Sequence, residues 1–462
     1  MGRVSRLCSL WLLCVIGLTH SSQNFVSAQT PTYKDPNVII LLADDLGYGD
    51  LGCYGNAMIK TPALDQLASE GLRLTNFYAA APVCSPSRAG LLTGRVPQRD
   101  GIFDWIKEGS DVFLPKETPT LATTLRLFGY QTAVFGKWHL NGKMDGTQTT
   151  PGDLGFATWC VTQNNALPTH ENPTNFIRNG KPVGPQTGYS STLIVNEALN
   201  WLQQRDQSKP FLLYLPFHSP HERVATASQY VKAYPKAENE NQAQYFGNVT
   251  QLDAEIGRLL AALDEMNLRE NTFVIFTSDN GPETLNRYQG SDRSYGTPGA
   301  FNKAKLRGMK LHLYEGGIRV PAIVRWPGIV KTGRVSDAPV SALDVMPTVL
   351  DALGISLERD DRVDGVTFGK LLVSHVWQRS RRLYWQYDNA ISANDKTPTP
   401  KFAVRDGDYK LLTDREFKTF EFYNLRLDPG ETRDLAAKEF KRARPMIEHA
   451  KLVNRQILVR EK

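Results

Sequence analysis

Continuous apolar runs that end in polar side chains are the feature that most restricts how this 462-residue chain can fold. The first run covers residues 37–42 and shows no polar alternation, as expected of a strand covered by helices on both faces. Further buried-strand candidates occupy residues 131–135, 211–217, 272–277 and 319–326. An amphipathic pattern over residues 242–268 keeps helical spacing. This alternation predicts an α/β fold with a large, mostly parallel sheet flanked by helices.

The chain changes character after about residue 346, where short aromatic segments replace the long apolar runs. Residues 383–387 are typical of a strand, and residues 402–412 place an Asp-Gly turn between two strand-like runs, which predicts a hairpin. We expect a smaller antiparallel sheet here, closed by a charged helix from Thr432 towards the C-terminus. The predicted organisation is a signal peptide at 1–28, an N-terminal domain at 35–345 and a C-terminal subdomain at 346–462.

The first 28 residues have the composition of a cleaved secretory signal. Arg3 and Arg6 precede an apolar run at residues 7–18, and residues 26–28 supply the small side chains of a cleavage site. The run is shorter than the ~20 residues that a membrane-spanning helix needs, and no later run approaches that length. We expect an exported protein without a membrane span after cleavage, in the periplasm, the extracellular space or a lysosome-like compartment.

The charge balance gives no support to nucleic-acid binding. The chain carries 54 basic and 48 acidic side chains, a formal charge of +6, which falls to +4 once Arg3 and Arg6 leave with the signal. Such a small excess is compatible with a polyanionic substrate, but it is equally typical of an ordinary solvated surface. Because no basic tract accompanies it, we expect no nucleic-acid partner.

The exported chain keeps three cysteines, Cys53, Cys84 and Cys160, because Cys8 and Cys14 belong to the predicted signal. An odd number of cysteines in a secreted protein points to one special thiol. The sequence leaves open whether Cys53 and Cys160 form a disulfide or both stay reduced.

Polar side chains follow four of the predicted strands, at the edge where a parallel sheet binds its ligands. They are Asp44 and Asp45, Lys137 and His139, His218 and His221, and Asp279 and Asn280. Charged residues are rarely buried without partners, so core packing alone does not explain this repetition. The groups after the first and fourth strands offer only oxygen ligands, which suits calcium or magnesium and disfavours zinc. Each of these two pairs, taken singly, is also typical of a turn.

Cys84 lies in the segment 82–95, where it opens a turn and Arg88 follows one helical turn later. Ser85 is expected to cap this helix and Pro86 to occupy its first position, which puts residue 84 beside the positive end of the helix dipole. An oxyanion bound there would meet free backbone N–H groups. The alternative is a small buried cysteine beside a surface turn.

Several segments together resemble the type I sulfatases. The matching segments are 41–50, 82–95, 129–139, 276–281, 307–310 and 314–321. The segment around Cys84 resembles the site at which these enzymes convert cysteine into formylglycine, and the two aspartate-containing segments resemble their calcium site. The resemblance extends from about Asn37 to about Asp434. It implies an alkaline-phosphatase-like fold.

The resemblance implies that Cys84 becomes formylglycine, through a formylglycine-generating enzyme. The hydrated aldehyde would attack the sulfur of a sulfate ester with loss of the alcohol, and its second hydroxyl would then expel sulfate. Arg88 would hold the diol and balance its charge. The calcium ion would be bound by Asp44, Asp45, Asp279, Asn280 and an oxygen of residue 84.

The same resemblance assigns the remaining candidates to the sulfate and the leaving group. Lys137 and Lys310 would bind sulfate oxygens, and His139 would bind a hydroxyl of the hydrate. A histidine protonates the departing alcohol in this family, because its ordinary pKa of about 6.5 suits proton transfer near neutral pH. The sequence leaves open whether His218 or His221 does so.

The function implied is hydrolysis of sulfate monoesters. The motifs are most similar to the branch of the family that contains arylsulfatase A and N-acetylgalactosamine-6-sulfatase, so we expect a sulfated sugar or a glycosaminoglycan-type glycan as substrate. One alternative is a phosphomonoester or phosphonate hydrolase of the wider alkaline-phosphatase group. Another is a noncatalytic protein that binds sulfated glycans, although the complete set of metal and lysine residues argues against it. The sequence predicts no oligomeric state.

Overall fold

The computed structural model describes the chain from residue 35 to residue 460 with internal gaps. The described residues are 35–284, 296–297, 299–301, 304–355, 363–374, 377, 379, 381–388 and 399–460. The predicted signal peptide lies outside them. Residues Tyr33–Lys462 form one compact unit. Within the described ranges, none of the helices has the length and apolar character needed to cross a membrane.

The described strands are numbered in chain order. They are β1 (Asn37–Ala43), β2 (Leu72–Tyr78), β3 (Gln131–Lys137), β4 (Thr158–Thr162), β5 (Ile177–Arg178), β6 (Lys181–Pro182), β7 (Phe211–Pro216), β8 (Thr272–Ser278), β9 (Ala300–Phe301), β10 (Ala304–Lys305), β11 (Arg319–Arg325), β12 (Arg334–Ser336), β13 (Val340–Ser341), β14 (Leu383–Gln386), β15 (Phe402–Asp406), β16 (Tyr409–Thr413) and β17 (Phe420–Asn424). The described α-helices are α1 (Pro62–Ser69), α2 (Cys84–Thr93), α3 (Leu121–Leu127), α4 (Ser190–Gln204), α5 (Ser228–Lys232), α6 (Glu240–Glu265), α7 (Glu315–Ile318), α8 (Val345–Ala352), α9 (Gly369–Val373) and α10 (Phe440–Arg460).

The central sheet is large, mixed and mostly parallel, as predicted. Its strand order is β12-β2-β11-β8-β1-β7-β3-β4-β5-β6, and β13 also pairs with β2. The middle strands β8, β1, β7, β3 and β4 are parallel to their neighbours within that group. By contrast, β11 is antiparallel to both β2 and β8. Five strands therefore present their carboxyl ends at one edge.

The two faces of β1 explain why the sheet is covered on both sides. Every residue of β1 is buried. Val38, Ile40 and Leu42 belong to one apolar core cluster, whereas Ile39 and Leu41 belong to another. Because successive side chains of a strand point to opposite faces, an unbroken apolar run serves two cores at once.

A side chain from another helix caps the N-terminus of α1. Thr61 is the N-cap residue, yet its hydroxyl accepts a hydrogen bond from the backbone N–H of Gly52 at 2.9 Å. Asp253 of α6 accepts hydrogen bonds from the backbone N–H groups of Ala63 and Leu64 at 3.1 and 2.8 Å. A carboxylate at a helix N-terminus satisfies the same unpaired donors, so this tertiary contact replaces the local cap.

Helix α6 begins two residues before the predicted start at 242 and ends three residues before the predicted end at 268. The side chain of Asn239 accepts a hydrogen bond from the backbone N–H of Gln242 and starts the helix. Asn267 adopts a left-handed φ of 57°, which stops it.

The C-terminal segment forms the predicted antiparallel sheet, in the order β14-β15-β16-β17. The Asp-Gly hairpin joins β15 to β16, and Gly407 adopts the left-handed φ of 56° that this turn requires. The predicted start of the closing helix at Thr432 is wrong, because α10 begins at Phe440. The carboxylate of Asp428 instead accepts hydrogen bonds from the backbone N–H groups of Thr432 and Arg433, which holds that segment in a loop.

Candidate active site

The carboxyl ends of β1, β8 and β3 bring the predicted site residues together. Asp44 and Asp45 follow β1, Asp279 follows β8, and Lys137 ends β3. These residues converge because β1 lies between β8 and β7, and β7 pairs with β3. With Arg88 and Lys310 they form a group of buried charges that we call the strand-end cluster.

Arg88 ties the cluster together from helix α2. Its Nε and Nη2 atoms donate hydrogen bonds to Oδ2 of Asp279 at 3.1 and 2.8 Å. Its Nη1 atom donates to the backbone carbonyl of Lys137 at 2.7 Å, and Nη2 lies 3.4 Å from Oδ1 of Asp44. The planar guanidinium therefore holds the ends of β1, β8 and β3 in one arrangement.

Two lysines approach the paired aspartates from opposite segments of the chain. Lys137 Nζ lies 2.7 Å from Oδ2 of Asp44 and 3.7 Å from Sγ of Cys84. Lys310 Nζ lies 2.6 Å from Oδ2 of Asp45 and 3.0 Å from Nε2 of His221. Both ammonium groups are thus positioned beside residue 84 and within reach of an anion bound there.

Cys84 is the first residue of α2, so the prediction that Ser85 caps this helix is wrong. Val83 is the N-cap residue. The Ser85 hydroxyl instead accepts a hydrogen bond from the backbone N–H of Ile106 at 2.9 Å. The Cys84 thiol lies 3.6 Å from Oδ1 of Asp44. Residue 84 nevertheless lies in the first turn, where backbone N–H groups lack intrahelical partners, as the sequence predicts.

Three residues at the site hold left-handed backbone conformations that are unfavourable for side chains other than glycine. Their φ angles are 62° for Asp45, 58° for His139 and 72° for Leu311. The backbone N–H of Leu311 donates to the carbonyl of Pro82, which joins its loop to the segment before Cys84. Such strain persists only where the surrounding structure enforces it, and it concentrates at functional sites.

Burial and the neighbouring charges shift the pKa values of the site residues. Burial raises the pKa of Asp279 to about 7, and the nearby Asp44 carboxylate adds to the rise. For Asp44 burial acts in the same direction, but Lys137 and the other neighbouring cations hold its pKa well below its usual range. Burial raises the pKa of the Cys84 thiol well above its ordinary value. An unmodified thiol at this position is therefore protonated and a weak nucleophile at neutral pH.

Four side chains at the site lie close enough together to hold a metal ion. One donor atom from each of Asp44, Asp45, Cys84 and His221 lies within 4.8 Å of the others. Oδ1 of Asn280 is buried and has no hydrogen-bond partner in the described part of the protein, while its Nδ2 atom donates to Oδ1 of Asp45 at 2.7 Å. An orphaned amide oxygen beside converging carboxylates is what a calcium or magnesium ion would satisfy.

A cavity of about 380 Å³ opens beside residue 84. Its lining residues are Val83, Cys84, Trp105, His139, Asn164, Asn165, His221, Glu222, Lys310 and Leu311. The imidazole Nε2 of His139 lies 3.1 Å from the carbonyl oxygen of Ile106. Its Nδ1 atom has no hydrogen-bond partner among the residues that the structure describes. The thiol, two imidazoles and one ammonium group therefore share this wall.

The structure separates the two histidines that the sequence leaves equivalent. His221 lines the cavity and contacts Lys310. His218 lies 2.8 Å from the Thr162 hydroxyl, and its ring packs against the rings of His170 and Phe176. Burial lowers the pKa of His221 to about 3 and lowers that of His218 well below its ordinary value. Of His218 and His221, the one that lines the cavity and can contact a ligand there is His221.

Four polar or aromatic residues that line the cavity were not identified from the sequence: Trp105, Asn164, Asn165 and Glu222. The two asparagines follow β4, so the rule that polar residues lie after parallel strands applies to them as well. Strand β4 was not predicted. His312 accepts a hydrogen bond from the backbone N–H of Met309 inside its own loop.

The other two cysteines do not form a disulfide. Cys53 is half-buried and Cys160 is buried, and both are free. Burial raises the pKa of Cys160 to about 12, so this thiol stays protonated at physiological pH. The alternative of a Cys53–Cys160 bridge is therefore wrong for this structure.

Comparison with known proteins places the chain in one family. A family model described as Sulfatase matches residues 36–355, and one described as N-sulphoglucosamine sulphohydrolase, C-terminal, matches residues 309–456. Arylsulfatase A of Homo sapiens is 33% identical, over 82% of this chain and 74% of that protein. Steryl-sulfatase of Rattus norvegicus is 32% identical, over 82% and 77%, and N-acetylgalactosamine-6-sulfatase of Homo sapiens is 31% identical, over 78% and 70%.

Solved structures agree with this result. The crystal structure of Ps i-CgsB in complex with k-i-k-neocarrahexaose superposes with a TM-score of 0.79 at 27% identity, covering 92% of this chain and 93% of that one. Phosphonate monoester hydrolase of Agrobacterium radiobacter superposes with a TM-score of 0.65 at 21% identity, over 91% and 95%, which shows a shared alkaline-phosphatase-like fold. Because the Sulfatase model spans more than half of the sequence, the chain belongs to the sulfatase family and is a sulfuric ester hydrolase.

Proposed function

We propose that this sulfatase removes sulfate from a sulfated sugar or a glycosaminoglycan-type glycan, with formylglycine at position 84 and one bound calcium ion. The observation that carries the proposal is the arrangement of Cys84, His221 and Lys310 on one cavity wall, with Lys137 3.7 Å behind the thiol. This combination offers a nucleophile position, two cations and a proton donor around a single point. Sulfate ester cleavage requires these three elements together.

The metal residues would be Asp44, Asp45, Asp279 and Asn280, together with residue 84. A divalent cation bound there would neutralise carboxylates and stabilise negative charge on the reacting group. Asp279 is held for this role by Arg88, whose two hydrogen bonds fix its Oδ2 atom. Magnesium has the same ligand chemistry and is the alternative ion.

Residue 84 would be the nucleophile after conversion of its thiol to an aldehyde. The hydrated aldehyde supplies two hydroxyls on one carbon, one to attack sulfur and one to release sulfate. His139 lines the same wall and would accept or donate a hydrogen bond at one of these hydroxyls. Arg88, one helical turn further along α2, would balance the charge on the oxygens of residue 84.

Lys137 and Lys310 would bind the sulfate oxygens. Each ammonium group now pairs with one aspartate, at 2.7 and 2.6 Å. Charge-assisted contacts with sulfate would replace or extend these pairs when substrate enters. His221 Nε2 accepts a hydrogen bond from the Lys310 ammonium at 3.0 Å, so this Lys310–His221 pair would supply the proton to the departing alcohol oxygen.

The sugar substrate is supported by the chemistry of the cavity and by two kinds of relative. N-acetylgalactosamine-6-sulfatase is among the similar proteins, and one similar structure contains a carrahexaose. The N-terminal segment supports export to the periplasm, the extracellular space or a lysosome-like compartment, after maturation by a formylglycine-generating enzyme. We assign the catalytic domain to residues 35–345 and the C-terminal subdomain to residues 346–462.

A peptide mass spectrum across residue 84 and a paired substrate assay test the proposal. We expect the mass of an aldehyde in place of the Cys84 thiol, and a preference for an aryl sulfate over the matching aryl phosphate. Calcium should restore the activity of chelator-treated protein better than other ions. Fully active protein with an unmodified thiol would disprove the assigned nucleophile, and a preference for phosphate would disprove the assigned substrate bond.

A further inference from the structure

We propose that Trp105, Asn164, Asn165 and Glu222 form a subsite for one sugar ring beside residue 84, a claim that rests on the proposed function and specifies its substrate. The cavity of about 380 Å³ is much larger than a sulfate group. It must therefore also hold part of the alcohol from which the sulfate is removed. The four residues line that cavity and have no role in the cleavage step, so they are the groups available to select the alcohol.

Trp105 provides an exposed aromatic surface on a backbone that is held in place. Its side chain is 45% exposed, although the next residue, Ile106, is only 2% exposed. The backbone N–H of Ile106 donates to the Ser85 hydroxyl at 2.9 Å, and its carbonyl oxygen lies 3.1 Å from Nε2 of His139. The backbone directly after Trp105 is thus hydrogen-bonded to Ser85, the residue after Cys84, and lies within hydrogen-bond distance of His139.

The residue before Trp105 is anchored as well. Oδ1 of Asp104 accepts hydrogen bonds from the backbone N–H of Trp105 at 2.8 Å and from the Tyr387 hydroxyl at 3.1 Å. Tyr387 belongs to the C-terminal segment, directly after β14. Because the backbone on both sides of the indole is already held, a ligand that covers the indole costs little further backbone entropy.

The polar residues of the subsite are also fixed relative to the catalytic groups. Oδ1 of Asn165 lies 3.4 Å from Nζ of Lys137, and its Nδ2 atom donates to the carbonyl oxygen of Glu222 at 3.3 Å. The Glu222 carboxylate lies 3.4 Å from Nδ1 of His221. Oδ1 of Asn164 is buried and has no hydrogen-bond partner within the described ranges. A ligand hydroxyl would satisfy that oxygen.

This combination fits a sugar better than a sterol, although steryl-sulfatases are among the relatives. A sugar ring has an apolar C–H face that can cover the indole and hydroxyl groups around its edge that can reach the asparagines. A sterol would cover the buried Oδ1 of Asn164 with hydrocarbon and leave it without a hydrogen bond, which is unfavourable.

Glu222 further restricts the group that the sugar presents on its side of the cavity. A buried carboxylate favours a hydroxyl or amine donor and repels a carboxylate or a second sulfate. We therefore expect the ring to be neutral next to Glu222, as in a hexose or N-acetylhexosamine that carries a single sulfate.

Steady-state kinetics on fully modified enzyme test the subsite, with N-acetylgalactosamine 6-sulfate and a simple aryl sulfate as the two probes. Trp105→Ala should lower the ratio of the two kcat/KM values, sugar over aryl, by about tenfold, and Trp105→Phe should restore most of it. Glu222→Gln should reduce the preference for a neutral sugar sulfate over one with a neighbouring carboxylate. Phe128→Ala is the matched control, because this side chain is 56% exposed and lies outside the cavity.

The possible results separate this inference from the function on which it rests. Wild-type enzyme that cleaves the aryl sulfate and no sugar sulfate would disprove the proposed substrate, and the subsite with it. Sugar turnover with an unchanged ratio in Trp105→Ala would disprove the subsite alone, and so would a wild-type preference for a steryl sulfate. A thermal melt of each variant identifies losses that come from unfolding, and an equal loss on both probes also counts against the subsite.

Discussion

The protein contains two groups of buried charges that consist of similar residue types and have different roles. The strand-end cluster faces the cavity beside Cys84, the proposed nucleophile, and contains residues of the proposed metal site. The second group, which we call the inter-sheet cluster, lies between the central sheet and the C-terminal sheet. Its members are Tyr78, Glu315, Arg319, Lys410 and Glu431.

The inter-sheet cluster is centred on Lys410 of β16. Its Nζ atom lies 3.0 Å from Oε1 of Glu315 and 2.8 Å from Oε1 of Glu431. Tyr78 of β2 donates a hydrogen bond to Oε2 of Glu315 at 2.7 Å. The backbone N–H of Glu315 donates to Oε2 of Glu431 at 2.7 Å. One lysine thereby joins the C-terminal sheet to the central sheet.

The difference between the two clusters lies in what their charges contact. In the inter-sheet cluster the charges contact one another, which favours a single packing of the two sheets. In the strand-end cluster three carboxylates lie close to an amide oxygen that has no hydrogen-bond partner among the described residues, and one side stays open to a ligand. We therefore expect changes in the strand-end cluster to affect activity and changes in the inter-sheet cluster to affect stability.

The largest expected effect is on activity, from Cys84→Ala. Loss of the nucleophile should lower turnover of an aryl sulfate by about a thousandfold or more, because the hydroxyls of residue 84 are needed in both chemical steps. The free energy of unfolding should change by no more than about 1 kcal/mol. Kinetics and urea unfolding measure the two quantities. Cys160→Ala, at a buried thiol of the core, is the control and should keep its turnover.

Lys410→Met should show the reverse pattern. The change removes the buried cation that Glu315 and Glu431 share, which should lower the free energy of unfolding by about 3–5 kcal/mol. The kcat of the protein that remains folded should stay close to that of the wild type. Lys143→Met removes an ion pair to Asp111 at the surface and should leave stability unchanged. A large fall in kcat without loss of stability in Lys410→Met would contradict the division of roles.

Asn280→Ala tests whether the orphaned amide oxygen is a metal ligand. Removing it should weaken calcium binding by roughly 10–100-fold, as measured by calorimetric titration of chelator-treated protein. Asn248→Ala changes another buried asparagine, in α6, and should leave calcium affinity as it is. Equal calcium affinity in the wild type and Asn280→Ala would exclude this residue from the metal site.

The smallest expected effect is a change in the pH dependence of stability through Glu431. Burial raises the pKa of Glu431 from its ordinary value of 4.5 to about 7, and the nearby Glu315 adds to the rise while Lys410 opposes it. Between these two pKa values the folded protein binds more protons at Glu431 than the unfolded chain does. The contribution of Glu431 to the free energy of unfolding therefore falls as the pH rises from about 4.5 to about 7. Glu431→Gln should gain stability relative to the wild type between about pH 5 and about pH 8. Urea unfolding at several pH values measures both proteins. If their free energies of unfolding differ by the same amount at every pH, the assignment is contradicted.

Much of the fold could be predicted because its central strands are covered on both faces. The unbroken apolar runs at β1, β7 and β8 follow from that environment. Strand β2 was missed because Arg73, Thr75 and Asn76 interrupt its apolar pattern. The antiparallel direction of β11 was also missed, since a run of apolar residues carries no information about strand direction.

The candidate site was predicted unevenly for a related reason. The strand-end aspartates and Lys137 could be found because they directly follow strands that the sequence reveals. The choice of His221 over His218 depends on which imidazole turns towards Lys310, and two histidines three residues apart have the same sequence context. Trp105 is one exposed aromatic residue in a loop, and nothing local marks it as a neighbour of His139.

The sequence by itself determined the fold class, the strands that carry polar residues at their ends, and the resemblance that points to residue 84. Each of these depends on local periodicity or on short motifs. Only the tertiary structure decided which side chains meet, because the contacts that build the site join distant segments: Lys310 and Asp45, 2.6 Å apart, are separated by 265 residues. Their meeting depends on strand order and on the packing of loops around the sheet edge, and the same packing selects His221 and forms the wall that contains Trp105.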